Sequence, residues 1–277
     1  MSRARRPPHP DRVRHIICLG WLFFSAPAAA QDFVAHQRLV GVIEPVGAEH
    51  MLALGVRAPL GDPDELLFTG AHAEAGLVSY TSPIYTRNGG YLQLSPLAFL
   101  VLRAELRHAQ MWSIGMPGAG YFPVGQDEPE GGEASGWEAH VSAIVQGLVP
   151  LGDTRLLLWN QLAFEGITLG PAEAYFSPRH DATLTRRDAV LANTAMLMWE
   201  LDLAADLHLR LGAYSDLAWI ASSERLAHQV GPVAMLLFDA PDPHVSAVLP
   251  FIRGGVYTDG PRSGGFTMLL GLMVDYR

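Results

Sequence analysis

Residues 207–219 read Leu207-His208-Leu209-Arg210-Leu211-Gly212-Ala213-Tyr214-Ser215-Asp216-Leu217-Ala218-Trp219. The odd positions are mostly apolar (Leu207, Leu209, Leu211, Ala213, Leu217, Trp219), and the even ones include His208, Arg210, Tyr214 and Asp216. A period of two fits a strand with one apolar and one polar face. The stretch is long for a strand of a soluble domain but suits a tilted membrane strand, which needs about 9–11 residues. If the pattern recurs, the fold is a transmembrane β-barrel.

It recurs along most of the chain. Segment 33–44 is rich in Val, Leu and Ile, and Glu44-Pro45-Val46-Gly47 is its turn. In 49–59, Leu52, Leu54, Val56 and Ala58 alternate with Glu49, Met51, Ala53, Gly55 and Arg57, before the turn Pro59-Leu60-Gly61-Asp62-Pro63-Asp64. Segment 67–80 sets Gly70, His72, Glu74 and Gly76 against Ala71, Ala73, Ala75 and Leu77, and a loop is expected through Thr81-Ser82-Pro83 and Arg87-Asn88-Gly89-Gly90. Leu92 and Leu94 lead into a tight hairpin at Pro96-Leu97-Ala98. In the return strand, 99–112, Leu100, Leu102, Ala104 and Leu106 oppose Arg103, Glu105 and Arg107.

The longest expected loop, 113–136, holds Asp127, Glu128, Glu130 and Glu133. Segment 137–149 follows, with Glu138, His140, Ser142 and Gln146 on its polar face. Pro150-Leu151-Gly152-Asp153 then repeats the earlier Pro59-Leu60-Gly61-Asp62 turn, with four expected strands between the copies, so both turns fall on one side of the sheet. Segments 155–168 and 188–200 alternate as well, around a polar loop at 169–186. Pro232 and Pro250 blur the parity of 229–238 and 245–257. The total is about twelve antiparallel strands, in keeping with the even numbers of bacterial barrels. Short connections near 60–65, 96–98, 150–154, 201–205 and 239–243 contrast with mostly longer ones opposite. Trp112, Trp137 and Trp219 fall at long-loop ends and Trp199 near a short turn, as two aromatic girdles require.

Targeting and composition agree with this. Arg3, Arg5, Arg6, Arg12 and Arg14 precede an apolar run from Ile16 to Phe24, and Ala28-Ala29-Ala30 fits a small-residue cleavage site before Gln31. Residues 1–30 are expected to be a secretory signal peptide and 31–277 the barrel domain. Pro7-Pro8 after Arg5-Arg6 argues against a twin-arginine route. The single cysteine, Cys18, lies inside the signal, so residues 31–277 have no disulfide or thiolate metal site.

No internal run of 18 apolar residues exists in the sequence, which disfavours a helical membrane bundle. Of 19 basic and 28 acidic residues, the five arginines and Asp11 of the leader are removed with it; 14 basic and 27 acidic remain, a net charge near −13. So acidic a chain is unsuited to nucleic acid.

With its leader, alternating strands and terminal Phe266-x-Met268-x-Leu270-x-Leu272-x-Val274-x-Tyr276, the chain resembles bacterial outer-membrane β-barrel proteins over essentially all of 33–277. The resemblance implies an outer-membrane location in a Gram-negative bacterium and contact with outer-membrane lipid. It also implies recognition of the aromatic-ended terminal strand by the barrel assembly machinery, although Arg277 here follows Tyr276.

The polar parity defines a candidate lumen: Arg57, His72, Glu74, Arg103, Glu105, Arg107, Glu138, His140, Arg155, Glu165, Asp188, Glu200, Asp206, His208, Arg210 and Asp216. Charges in a confined lumen must pair or meet water, so a carboxylate–arginine network is expected. It either fills the barrel or lines a narrow path for small polar solutes; a closed barrel acting through its loops is the alternative.

A third reading is enzymatic. His140-Val141-Ser142 and Trp159-Asn160-Gln161-Leu162 resemble the outer-membrane phospholipase A family, which implies Ser142 as nucleophile, His140 as base and Asn160 as orienter. Parity opposes it, because Asn160 falls with Leu158 and Leu162 on the apolar face. The carboxylates at 127–133 lack the ligand spacing of a calcium loop. His36, His50, His108, His180, His228 and His244 form no H-x-x-x-H pair, so neither a metal nor another cofactor is expected.

Overall fold

The computed structural model describes residues 31–43, 47–62, 64–112, 122–123, 133–170, 173–177, 180, 182–238, 244–260 and 262–276. The expected signal peptide and the carboxylates Asp127, Glu128 and Glu130 lie outside them, and Glu133 opens a strand. The strands are β1 (Asp32–Ile43), β2 (Gly47–Pro59), β3 (His72–Ser82), β4 (Tyr85–Leu97), β5 (Leu100–Trp112), β6 (Phe122–Pro123), β7 (Glu133–Leu151) and β8 (Thr154–Gly170). They continue with β9 (Ala174–Ser177), β10 (Ala182–Thr185), β11 (Arg187–Ala204), β12 (Leu207–Ile220), β13 (Arg225–Phe238), β14 (Val245–Asp259) and β15 (Phe266–Tyr276). Twelve of them form a closed barrel in which each barrel strand pairs antiparallel with the one before it, and β1 closes the ring against β15. β6, β9 and β10 make a separate three-stranded sheet.

The barrel is inside-out relative to a water-soluble one. On β2, Ala53 is fully buried while Leu54 is 44% exposed, and on β3 Glu74 is fully buried while Leu77 is 71% exposed. Leucines, valines and aromatics such as Leu106, Val141, Leu162, Phe164, Leu197 and Leu270 stand exposed around the wall. In water so extensive an apolar surface would drive association. Against acyl chains it is the matched surface, and closure leaves no strand edge unpaired in lipid. Trp137 and Trp219 lie exposed near one end of the wall and Trp199 near the other.

Several connections depart from the sequence reading. The loop expected through 81–90 shrinks to Pro83-Ile84, and Arg87 to Gly90 lie within β4. Asn88-Gly89-Gly90 has the composition of a turn, but Gly89 sits where the backbones of β4 and β5 approach closely. A Cβ there would be 1.9 Å from the Leu106 carbonyl oxygen. The strand expected from 67 begins only at His72, because Leu66–Phe68 is a 3-10 turn ended by Gly70 at φ 74°.

The two Pro-Leu-Gly-Asp turns do lie at one end, with β3, β4, β5 and β7 between them, and both glycines are left-handed, Gly61 at φ 71° and Gly152 at φ 62°. The expected contrast in connection length holds only in part. Opposite the termini, two connections are long (113–132 and 171–186), whereas 44–46 and 83–84 are short. The end carrying the long loops is the outer one by the asymmetry of such barrels.

The loop expected at 169–186 is instead largely structured. β8 runs to Gly170, and β9 and β10 form a small hairpin beside β6. Tyr175, Ala182 and Leu184 of this hairpin pack against Ala109, Ala134, Ile167, Leu169, Val190 and Ile220. The last six are buried wall residues on the inward parity, so the hairpin sits inside the outer mouth.

Candidate functional site

The interior polar set is built by register. In an antiparallel pair, residues directly opposite share a face and lie about 4.5–5.5 Å apart, so opposite charges at paired positions meet. Arg57 is paired with Glu74, Arg107 with Glu138, and Glu105 with His140, which is in turn paired with Glu165. Across β8, β11 and β12, Arg155, Glu200 and Arg210 form one continuous rung.

Glu74 is the most enclosed of these groups. Its Oε2 accepts from Arg57 Nε and Nη2 at 2.9 and 2.8 Å, and its Oε1 accepts from the Tyr91 hydroxyl at 2.6 Å. His36 Nε2 lies 3.1 Å from the same oxygen, and His36 Nδ1 lies 2.7 Å from Asp275. Five strands, β15 on one side of the β1–β15 seam and β1 to β4 on the other, are thereby tied together.

A second cluster is centred on two buried arginines. Arg107 is 2.9 Å from Glu105, 3.3 Å from Glu138 and 3.8 Å from Glu165. Arg87 bonds Glu49, stands 3.6 Å from Glu138, and is stacked between Tyr80 and Tyr85 at 4.6 and 4.8 Å from the ring centres. Arg103 donates to Glu105 at 2.6 Å and lies over Tyr91. His140 and His180 contact the two oxygens of Glu165 at 3.0 and 3.1 Å, and His180 also meets Ser177 of β9. The inserted hairpin is therefore tied to the polar wall as well as to the apolar one.

At the inner end, Arg155 bridges Glu200, at 2.9 Å, and Asp202, while His208 meets Asp202 at 2.6 Å and Arg210 meets Glu200 at 2.6 Å. Further along β12 toward the outer end, Asp216 lies 2.6 Å from Arg253 of β14, which stacks on Tyr214. Among the described residues, Glu200, Asp202 and His208 bring ligand atoms within 4.8 Å of one another. The Arg155 guanidinium already supplies the cation there.

The residues expected in the lumen do not all meet. His72 opens β3 and bonds the Gly70 carbonyl and, at 3.3 Å, Gln93. Asp188 serves the loops, accepting from the Thr185 and Ser222 backbone amides and the Ser222 hydroxyl. Asp206 is a correction: it lies exposed in the two-residue turn between β11 and β12, where aspartate is favoured, and not in the lumen. The sequence reading missed His36, Arg38, Glu49, Arg87, Asp202, Arg253 and Asp275. Arg87 was hidden by its Asn-Gly-Gly neighbours and Arg253 by Pro250. Register across the seam, which no local pattern reveals, brings in His36 and Asp275.

The Ser142–His140–Asn160 arrangement, which strand parity opposed in the sequence, is not assembled. Ser142 is buried inside with its hydroxyl unbonded, and His140 is committed to Glu165. Asn160 faces lipid, where its amide pairs with that of Asn193 at 3.2 and 3.3 Å. The parity of β8 forbids the three from meeting.

No family model matches the sequence, and no curated relative matches it. Solved structures do. The β domain of the Bordetella autotransporter BrkA is 12% identical, with a TM-score of 0.50 over 90% of this chain and 98% of that one. The fold is that of bacterial outer-membrane β-barrels. The translocator domain of the autotransporter NalP from Neisseria meningitidis (11% identical, TM-score 0.48) aligns over 96% of this chain and 94% of its own. The NanC porin (10%, TM-score 0.40) aligns over 88% and 99%. At these identities the likeness speaks for the fold alone.

Proposed function

We propose that the barrel is a narrow pore for small polar solutes, with the β6–β9–β10 sheet as the constriction at its outer mouth. The observation that carries this reading is the run of paired charges along the interior, from Arg155, Asp202 and His208 at the inner end to Glu165, which meets His180 of the hairpin. Part of that run remains accessible: the side chains of Arg57, Arg155 and Arg253 are 29%, 36% and 23% exposed. A wall of alternating charge with accessible guanidinium groups gives a permeating polar solute replacement partners for its hydration shell. Mixed signs favour weak, multi-site contact over tight binding.

A second reading, a closed barrel that acts through its loops, draws support from the apolar packing of Tyr175 and Leu184 against the wall. Planar-bilayer recording of refolded protein separates the two. The pore reading expects small, discrete conductance steps in the full chain and larger ones after deletion of 174–184. Silence from the full chain with steps in the deletion means a plugged pore. Silence from both, under all voltages and salts, overturns the pore in favour of the closed barrel.

A further inference from the structure

The lipid face carries a polar constellation that the interior does not use. Ser215 on β12, His228 on β13 and Thr258 on β14 point outward, since their chain neighbours Tyr214, Asp216, Gln229 and Tyr257 point inward. Ser215 Oγ lies 3.0 Å from His228 Nε2, and His228 Nδ1 lies 2.6 Å from Thr258 Oγ1.

The proton positions follow from the partners. The Thr258 hydroxyl donates to the His228 main-chain carbonyl, at 3.4 Å, so its oxygen is free to accept the Nδ1 proton. This tautomer leaves Nε2 bare and facing the Ser215 hydroxyl. A hydroxyl beside an imidazole that a third group orients is the arrangement of an activated nucleophile.

Two further features fit. His228 pairs with Asp259 but Gln229 with Tyr257, so β14 has one residue more than β13 at this point, and that residue is Thr258. A bulge of this kind re-aims a side chain and is common beside active sites. The site also lies at the right depth. Leu217 is the register partner of His228, and the exposed Trp219 is the next outward-facing residue of β12 toward the outer end. That places the three residues just within the outer aromatic girdle, at the level where headgroups join acyl chains.

We propose that Ser215, His228 and Thr258 form a lipid-facing site that hydrolyses the acyl esters of outer-leaflet lipids. Ser215 Oγ attacks the ester carbonyl carbon while its proton passes to His228 Nε2. The carbonyl–alkoxy bond breaks, His228 returns the proton to the leaving alkoxide, and an acyl ester remains on Ser215. Water, deprotonated by His228, attacks that ester and releases the carboxylic acid, and the proton goes back to Ser215. The site shares no residue with the interior network and stands or falls independently of the pore.

The test uses the full chain refolded into vesicles of phosphatidylethanolamine and phosphatidylglycerol, and separately into vesicles containing lipopolysaccharide. Heat-modifiable gel migration confirms folding of every variant. Fatty-acid release from either vesicle type is expected, and the arm that responds distinguishes phospholipid from lipid A esters. Ser215→Ala should fall to the vesicle background, and His228→Asn should lose on the order of 10²–10⁴-fold in rate. Thr258 is a positioning residue: Thr258→Val should lower kcat with KM unchanged, and Thr258→Ser should restore it. An alkyl fluorophosphonate should label Ser215. Release that persists in Ser215→Ala, folded wild-type protein that releases nothing in either vesicle, or labelling without release each overturns the proposal.

Discussion

Glycine and tyrosine act as a pair on the interior wall. Gly55 leaves a bare patch against which Tyr91 lies: a Cβ there would stand 2.4 Å from the Tyr91 hydroxyl oxygen and 2.9 Å from the Ala75 carbonyl oxygen. The flattened ring lets that hydroxyl donate to Glu74 at 2.6 Å and puts a π face under the Arg103 guanidinium at 4.3 Å. Gly55→Val should displace Tyr91 and leave the buried Glu74 short of a donor, a loss of about 1–3 kcal/mol. Gly41→Val, with nothing within 4 Å of its added Cβ, is the matched control and should be nearly neutral. Urea-unfolding midpoints in vesicles compare the two. Much of this level was legible in the sequence. Arg57, Glu74, Arg103 and Glu105 declare their parity through apolar neighbours, Val56 and Ala58, Ala73 and Ala75, Leu102, Ala104 and Leu106. Tyr91 does not, because a tyrosine suits either face and only the cross-strand glycine commits it inward.

Strands were easier to read than the segments that join them. Alternation persists over ten or more residues, so one blurred position does not hide a strand, whereas a connection depends on a few residues whose partners are remote. Asn88-Gly89-Gly90 misled because glycine serves close strand approach as well as turns. The β9–β10 hairpin was invisible because it is only four residues a side and is stabilised by the walls of β5, β7, β8, β11 and β12. Asp188 is the fastening that such a short element needs. It accepts from the Thr185 amide at 2.9 Å, at the end of β10, and from the Ser222 amide at 3.1 Å in the next outer turn. Asp188→Ala leaves those donors unpaired and should loosen the hairpin while sparing the barrel. Limited trypsin digestion of the folded protein should then cut at Arg186 or Arg187 much faster than in wild type, with the heat-modifiable band retained. Equal cutting rates would show that the apolar contacts of Tyr175 and Leu184 hold the hairpin without help.

Closure is a property of the whole chain, and it converts register into function. β1 meets β15 in unbroken register from Ala35 opposite Tyr276 to Ile43 opposite Met268, and only this pairing brings Asp275 to His36, which on its other side meets Glu74 through the β1–β2–β3 register. The same seam makes the lipid face continuous, since Leu39 and Leu272 are directly opposed and both exposed. Directly opposed residues have Cα atoms about 4.5–5.5 Å apart, within disulfide range. The sequence's single cysteine is Cys18, so an introduced pair has no competitor within residues 31–277. Leu39→Cys with Leu272→Cys should oxidise in the folded barrel, giving a faster-migrating band on non-reducing gels. Because the bridge closes nearly the entire described chain into one loop, it should raise unfolding resistance by about 5 kcal/mol where the entropic account holds. Leu39→Cys with Leu270→Cys, one outward step out of register, should form the bridge far more slowly. A seam slipped by two residues would reverse that order and, with it, separate His36 from Asp275. The crosslinking pattern therefore tests the closure on which the interior network depends.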